Sequence, residues 1–519
     1  MVRKRVLLVL LIAALIIPAL AILPSASAQE GGAPYWPTEG WRTSTPEEQG
    51  MDSEKLVKLL EWIENDGADF HNLLVIRHGY VVLDASTYPF KTSQPHWMSG
   101  IACSTVSALT GIAIDQGYIK SVDQSIWDFF SKETTANMDA KKEAITLAHL
   151  LTATPGLGLG QNMYKLTADD QSWVQYMLDQ PMMFAPGQLC LFSDGFPHLV
   201  SAIISKATGK SAFEFAQPNL FGPLGMTNVS WWADPQGVSE GCDGVAWSAY
   251  DLAKLGYLYL HHGEWDGQQI VSPGWIETST SPLVDMHSPP TFLGYLWANS
   301  KCGTRNDYSC YAASGVGISL WVVPDLDLIV VVTGYYADSR SVMVNIYIVP
   351  AAQSDSALPP NPAAQETLQA KVDVFANPVP AAVPAPPDPQ AQISGQTYAL
   401  DKNDMGWTSL MISFGEQEAL LTLEIQGRRL ELPVGLDGVF RVSSAGLPGD
   451  VPLWRPVSDV PLALKGTWEG SLFVITARDV LGALNGEFKL HLSEDTLKIS
   501  VAGKAGLPGF LTITGTPQQ

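Results

Sequence analysis

The alternation of apolar and polar residues predicts a sheet whose strands come from both ends of the first part of the chain. Residues 72–86, NLLVIRHGYVVLDAS, contain two apolar runs on either side of His78-Gly79 and predict a β-hairpin. Residues 319–335, SLWVVPDLDLIVVVTGY, predict a second hairpin that turns at Pro324-Asp325. Because helical patterns fill the chain between the hairpins, we expect an α+β layered fold, an antiparallel sheet with helices.

Two helices stand out in this pattern. Asp52 or Ser53 is a suitable N-cap for the segment EKLVKLLEWIEN, which carries apolar residues at helical spacing. These residues are Leu56, Leu59, Leu60 and Ile63. In residues 96–119, HWMSGIACSTVSALTGIAIDQGYI, small residues lead into an apolar stretch that ends at Gly117. That pattern is typical of a helix with a nucleophile at its start, but the side chains that would do the chemistry are missing.

The pattern changes after a Pro- and Ala-rich segment, residues 354–392. This composition is typical of an extended, semi-rigid linker, within which residues 362–375 are expected to form one short helix. Beyond it, apolar or alternating segments separated by Gly, Asp and Asn predict a small antiparallel β domain over residues 393–519, a sandwich or a barrel. The segments are 409–414, 419–425, 471–477, 487–493 and 496–502. This domain contains no catalytic signature, so a structural or interaction module is expected.

The first residues have the order of a secretory signal. Basic residues at positions 3–5 precede the apolar run 6–23, and the small residues of PSASA follow at 24–28. We expect cleavage after Ala28, which makes 1–28 a signal peptide and 29–353 the first domain of a secreted or extracytoplasmic protein. The alternative is an uncleaved signal, which would be the protein's one attachment to a membrane.

Charge and composition narrow the classes of partner. The 30 basic and 52 acidic side chains give a formal net charge of −22, which argues against binding to nucleic acids or anionic headgroups. The sequence has no C-x-x-C and no H-E-x-x-H, and its nine histidines are scattered apart from His261-His262. We therefore expect no metal site and no cofactor.

The five cysteines are an odd number, so at least one thiol is expected to stay unpaired or to pair with another molecule. They are Cys103, Cys190, Cys242, Cys302 and Cys310. Export permits disulfides, and Cys302 and Cys310, which flank a polar turn-like loop, are the predicted intrachain pair. For the other three, a bridge between two of them and burial as small hydrophobic residues both remain open.

Several stretches resemble the serine β-lactamase and penicillin-binding-protein family, in its class C, esterase and 6-aminohexanoate-dimer hydrolase branch. The similar stretches are HLLTATPGLG (149–158), PGQLCLFSDGFPHLVSAIISKATGKSAFEFA (186–216), LFGPLGMTNVSWW (220–232), SAYDLAKLGYLYLHHGEWDGQQIVSPGWI (248–276) and VVPDLDLIVVVTG (322–334). The resemblance spans roughly residues 45–350 and implies a β-lactamase-like domain. Relatives of this branch also carry a C-terminal β module, so the resemblance implies the same two-domain order.

The resemblance also implies three catalytic motifs, Ser-x-x-Lys, Tyr-x-Asn and a K-T-G-like motif. Counted from GIA at 111–113, the nucleophile position is Gly100 and the lysine position is Cys103. The tyrosine position is Phe192, and the third motif, AASGVGIS at 312–319, has no Lys or His where one is expected. None of the three motifs occurs anywhere in the 519 residues. A residue without a side chain cannot be acylated, and neither Cys103 nor Phe192 supplies the missing base or proton relay.

We therefore expect an exported β-lactamase-related protein that is catalytically degenerate and acts as a binding or scaffold module. The ligand would be a small acyl, peptide or cell-wall-derived molecule. The expected cleft residues are Ser99, Ser193, Asp194, Cys242 and Gly315. The alternative is a weak hydrolase of esters, amides or β-lactams with a rearranged nucleophile, for which the candidates are Cys103, Ser99 and Ser104. The tryptophans are expected in the core, unless Trp247 or Trp297 lines the cleft and favours an apolar or sugar-containing ligand.

Overall fold

The computed structural model describes residues 35–66, 69–167, 169–288, 291–334, 339–384, 393–448, 459–493, 495–505 and 511–518. Residues 36–519 form one compact unit, and the predicted signal peptide lies outside the described residues. No helix in the described ranges has both the length and the apolar character needed to cross a bilayer.

The helices of the described residues all precede the C-terminal β domain. They are α1 Ser53–Asp66, α2 Ile101–Asp115, α3 Ala140–Glu143, α4 Leu147–Leu151, α5 Trp173–Leu178, α6 Gly195–Thr208, α7 Ala212–Ala216, α8 Ala249–Leu260, α9 Pro273–Ser279, α10 Ser339–Val342, α11 Val349–Ala351 and α12 Pro362–Ala376. Most lie between the two predicted hairpins, as the sequence pattern indicated.

The strands of the first domain form one large sheet and two small ones. They are β1 Arg42–Thr43, β2 Phe70–Arg77, β3 Tyr80–Ser86, β4 His96–Trp97, β5 Ser230–Trp231, β6 Val245–Trp247, β7 Glu264–Trp265, β8 Gln268–Gln269, β9 Val284–Ser288, β10 Thr291–Leu293, β11 Ala298–Cys302, β12 Tyr308–Gly315, β13 Ile318–Val323 and β14 Leu328–Gly334. The large sheet has the order β1-β3-β2-β14-β13-β12-β11-β10-β9, β4 and β5 flank β6, and β7 pairs with β8.

Both predicted hairpins are confirmed, and β14 pairs antiparallel with β2, so the two ends of the first domain meet in the centre of the sheet. The central strands are apolar on both faces because helices cover both sides. On β2, Leu73 and Val75 pack in the cluster around α1, whereas Leu74 and Ile76 pack in the cluster around α2 and α8. This division follows the two-residue period of a strand.

The C-terminal domain is an antiparallel β-barrel-like structure. Its strands are β15 Thr397–Leu400, β16 Trp407–Phe414, β17 Glu418–Ile425, β18 Arg428–Gly435, β19 Arg441–Val442, β20 Leu462–Glu469, β21 Leu472–Asp479, β22 Asn485–Leu492, β23 Leu497–Ala505 and β24 Leu511–Pro517. In a single sheet these strands lie in the order β18-β17-β16-β15-β24-β23-β22-β21-β20-β19. A further pairing of β18 with β20 brings the two ends of the sheet together. Each of the five predicted segments lies within a strand apart from at most one terminal residue, and the interior is apolar.

The helix predicted inside the Pro- and Ala-rich segment is confirmed as α12 and packs against α1. Leu368 of α12 is 6% exposed and joins the apolar cluster of α1. The Lys371 ammonium lies 2.9 Å from Glu64 of α1. The part of the segment that contains α12 is therefore docked on the first domain.

The barrel contacts the first domain through the turn between β21 and β22. The Trp97 amide donates a 2.7 Å hydrogen bond to the Leu481 carbonyl. Arg478 forms a 2.8 Å ion pair with Asp69, which precedes β2. Beside these contacts the two domains enclose a groove of about 430 Å³. Its lining residues are Tyr88, Pro89, Lys91, Gln94, Pro95, Val442, Pro461, Val480 and Leu481.

Candidate functional site

The start of α2 is the centre of the site that the sequence predicts. Gly100 is its N-cap and has a left-handed backbone, with φ of 76°. The helix is buried through its first three turns, and its two threonines bond within the helix: Thr105 donates to the Ile101 carbonyl at 3.0 Å and Thr110 to the Val106 carbonyl at 2.7 Å. Ser104 is buried and donates to the Leu296 carbonyl at 2.7 Å, so it is not a candidate nucleophile.

At Gly100, the position where the resemblance implies the nucleophile, backbone packs directly against backbone. A Cβ atom on Gly100 would lie 2.4 Å from the Gly315 Cα and 2.5 Å from the Ser314 carbonyl oxygen. A Cβ atom on Gly315 would lie 1.8 Å from the Ser99 carbonyl oxygen. The predicted cleft residues Ser99 and Gly315 are therefore brought together. The contact between α2 and β12 leaves no room for a side chain at position 100.

Cys103, at the position where the resemblance implies the lysine, forms a disulfide with Cys242. This bridge answers the question that the sequence left open, and it ties α2 to the loop before β6. Cys103 is therefore neither a cation nor a free thiol nucleophile. The third cysteine of that group, Cys190, is a buried free thiol, and its burial raises its pKa.

The predicted Cys302–Cys310 disulfide is wrong in this structure, where both are buried free thiols. The register explains why. Cys302 stands opposite Tyr308 and Cys310 opposite Ser300, so the two cysteines are diagonal neighbours on β11 and β12. Diagonal pairs lie about 7–8 Å apart between Cα atoms, more than a disulfide normally spans. A hydrogen bond with Cys310, together with burial, instead raises the pKa of the Cys302 thiol.

A carboxylate that the sequence analysis missed faces Ser99. Asp243 accepts a 2.8 Å hydrogen bond from the Trp97 indole and a 3.4 Å hydrogen bond from the Ser99 hydroxyl. Its loop is shaped by Glu240, which accepts hydrogen bonds from the backbone amides of Cys242 and Asp243. Among the side-chain hydrogen bonds of the described residues, none joins Ser99 to a lysine or histidine.

Phe192 stands where the resemblance implies the tyrosine, and its side chain has no group that can carry a proton. Phe192 is 43% exposed. The Ser193 hydroxyl donates to the Leu159 carbonyl at 2.7 Å, and Asp194 is the N-cap of α6. The Tyr164 hydroxyl bonds to Asp194 at 3.0 Å and to Glu240 at 3.1 Å. Tyr164 lies outside every family-like stretch of the sequence, so no pattern pointed to it.

One cation lies beside the third motif, although no Lys or His does. The Arg340 guanidinium donates to the Gly315 carbonyl at 2.9 Å and also to the Ile318 carbonyl. These bonds hold the turn between β12 and β13. Through them the positive charge of Arg340 is directed at backbone carbonyls. The sequence offered no signal for it, since Arg340 is distant along the chain from the motif.

The remaining candidates belong to the core. Trp247 and Trp297 are both fully buried, so neither lines a cleft. His198 bonds to buried Asp234 at 3.1 Å, and His96 bonds to His71. No group of three or more metal-ligating side chains converges in the described part of the chain. The groups described at the site are thus the hydroxyls of Ser99, Ser193 and Tyr164, the carboxylates of Asp194, Glu240 and Asp243, the Arg340 guanidinium and a disulfide.

The fold combines a β-lactamase-like domain with a separate antiparallel β-barrel-like domain. Residues 123–341 match the family model described as Beta-lactamase, so the chain carries a β-lactamase family domain. No curated protein matches the chain significantly.

Solved structures similar to this chain include a 6-aminohexanoate-dimer hydrolase homologue from Bacillus anthracis, with 17% identity, 64% of this chain and 86% of that chain covered, and a TM-score of 0.47. An octameric penicillin-binding protein homologue from Pyrococcus abyssi has 14% identity, covers 89% of this chain and 100% of its own, and has a TM-score of 0.47. A penicillin-binding protein from Bacillus halodurans has 18% identity, covers 55% of this chain and 97% of its own, and has a TM-score of 0.45.

Proposed function

We propose that this protein is an exported, catalytically degenerate member of the β-lactamase family that binds a ligand or serves as a scaffold. The observation that carries the proposal is the packing at position 100, where a Cβ atom would lie 2.4 Å from the Gly315 backbone. Acylation at this position would need both a hydroxyl side chain and space for the acyl group. The chain has neither.

The disulfide at position 103 supports the same reading. In the family chemistry a lysine one helical turn after the serine helps to remove its proton. Here the equivalent side chain is covalently joined to Cys242. A disulfide persists in an oxidising compartment, so this bridge also supports export, together with the signal-like order of residues 1–28.

The ligand we propose is a small acyl, peptide or cell-wall-derived molecule. Exposed apolar and aromatic side chains remain around the degenerate site: Tyr164 is 39% exposed, Phe192 43% and Val316 65%. Such groups supply contact area to a bound molecule. Binding without turnover requires no activated nucleophile.

The test is covalent labelling of the purified, exported protein. A fluorophosphonate probe and a β-lactam should leave its intact mass unchanged, because no hydroxyl is activated. Nitrocefin and p-nitrophenyl esters should be hydrolysed no faster than by buffer. A cell-wall peptide fragment should still raise the melting temperature in a concentration-dependent way.

The alternative is a weak hydrolase that uses Ser99. One contact favours it, since the Ser99 hydroxyl lies 3.4 Å from the Asp243 carboxylate. This reading predicts labelling at Ser99 and turnover that Ser99→Ala abolishes. The exposed Ser93 provides the matched control, because Ser93→Ala should leave both unchanged. Labelling and turnover with this pattern would overturn the degenerate reading.

A further inference from the structure

Two buried histidines meet where the barrel contacts the first domain. His71 of β2 and His96 of β4 are both at most 2% exposed. The His71 Nδ1 atom lies 2.6 Å from the His96 Nε2 atom. The ring of Phe90 stacks on His71 with centroids 3.6 Å apart. Neither histidine belongs to the degenerate cleft.

The hydrogen bonds fix how the neutral pair is protonated. His96 Nδ1 lies 2.8 Å from the Trp97 carbonyl oxygen, which can only accept, so Nδ1 carries the hydrogen. His96 Nε2 then accepts from the N–H of His71 Nδ1. One added proton leaves an N–H···N bond but places a cation in the interface, and a second added proton breaks the bond.

The barrel covers this pair with a glycine. A Cβ atom on Gly482 would lie 2.3 Å from His96 Nε2 and 2.9 Å from His71 Nδ1. Gly482 has φ of 71°. It lies in the same turn as Leu481, whose carbonyl accepts a hydrogen bond from the Trp97 amide. The β21–β22 turn therefore covers the pair and helps to keep both histidines from solvent.

We propose that the His71–His96 pair is an acid-sensitive contact between the two domains, which loosens the β21–β22 turn when the pair takes up a proton. Separation of the turn from the pair would let solvent reach the imidazoles, and water stabilises a charged ring. The same turn contributes Val480 and Leu481 to the groove between the domains, so loosening would also change the shape of that groove.

The charges around the pair decide the direction of the pH effect. Burial lowers the pKa of His96 to about 4 and lowers that of His71 well below its ordinary value, with His96 and Arg478 adding to the effect. Lys465, on β20, also has its pKa lowered by burial and by Arg478. Asp69 balances Arg478 in their ion pair. A cationic pair would thus face two further cations, Arg478 and Lys465, of which Arg478 is already paired with Asp69.

Protonation of Asp479 has an effect on the contact that is opposite to that of the histidines. Burial raises its pKa to about 6, so its protonation on acidification relieves a buried charge. Four backbone amides of its own turn bond to it, however, so most of its environment remains when the barrel moves away. The histidines, in contrast, lose their buried surroundings when the barrel moves away, so they determine the direction of the pH effect. The contact is fully stable above pH 6.5 and weakens as the pH falls from 6.5 toward 4.

The Trp97 amide is the reporter, because its hydrogen bond to Leu481 exists only when the barrel is docked. Hydrogen exchange of the full chain should be measured at pH 8 and pH 5 and normalised to intrinsic rates. From the His96 shift alone, protection of this amide should fall about thirtyfold at pH 5. Protection of the barrel core, for example at the Ile499 amide, should fall far less.

The variants separate this contact from general acid denaturation. His71→Phe/His96→Phe should remove the acid response of the Trp97 amide, whereas His491→Gln, at an exposed position of β22, should keep it. If the double variant does not fold, the wild-type imidazole signals decide instead, since neither should titrate above pH 6 while Trp97 is protected. Equal protection at pH 8 and pH 5, or an acid response that survives in the double variant, would overturn the proposal.

Discussion

At the scale of single residues, the absence of a side chain is as informative as its presence. Gly100 and Gly315 let the start of α2 and the end of β12 touch through their backbones. The sequence analysis expected Gly315 in the same cleft as position 100, but it did not show that the two glycine backbones touch, because that contact joins segments more than 200 residues apart.

Replacing Gly100 with serine is therefore expected to destabilise the protein. The new Cβ meets backbone atoms and forces a left-handed φ on a non-glycine residue, which together cost roughly 2–5 kcal/mol. Gly117→Ser is the matched control, since Gly117 has φ of 77° with no heavy atom within 4 Å of the built Cβ. That variant should lose only about 1 kcal/mol. Thermal unfolding of both variants measures the difference, and equal losses would contradict the packing argument.

At the scale of helices and strands, the sequence predicts what depends on local period. The two hairpins and α1 were predicted because side chains alternate every two residues in a strand and recur every three or four in a helix. The pairing of β18 with β20 and the Cys103–Cys242 bridge were not, because register and partner depend on how distant segments pack. The wrong Cys302–Cys310 pairing came from proximity along the chain without knowledge of register.

The docking of α12 on α1 gives a prediction at this scale. Leu368→Ala removes a side chain that is 6% exposed and should lower the stability of the first domain by about 2–4 kcal/mol. Val374→Ala on the same helix, where the side chain is 57% exposed, should change it by less than about 0.5 kcal/mol. Urea unfolding monitored by exchange in α1 provides the measurement. If both variants unfold at the wild-type midpoint, α12 is not held to α1 by this contact.

At the scale of the whole molecule, the disulfide is the longest covalent constraint in the described chain. Cys103 and Cys242 are separated by 139 residues. In the chain-entropy model, closing a loop of that length restricts the unfolded state by about 5 kcal/mol. The bridge therefore ties together the region from α2 to β6, on which the site is built.

The thiol count checks this assignment. Under denaturing, non-reducing conditions the protein should show three free thiols, those of Cys190, Cys302 and Cys310, and five after reduction. Cys103→Ala/Cys242→Ala should unfold at a clearly lower temperature, whereas Cys190→Ala should lose less because it breaks no cross-link. A count of five before reduction, or of one, would require another pairing.

The same covalent ring determines how the protein would respond to mechanical force. If the chain is pulled by its two ends, tension passes from Cys103 to Cys242 through the sulfur atoms, and the chain between them, across a sequence separation of 139, carries none. At about 3.6 Å per residue, roughly 500 Å of chain would stay hidden in the force–extension trace. Adding a reductant should release that length as extra extension. The helices α3 to α7 would therefore be shielded from unfolding by force while the barrel is pulled open.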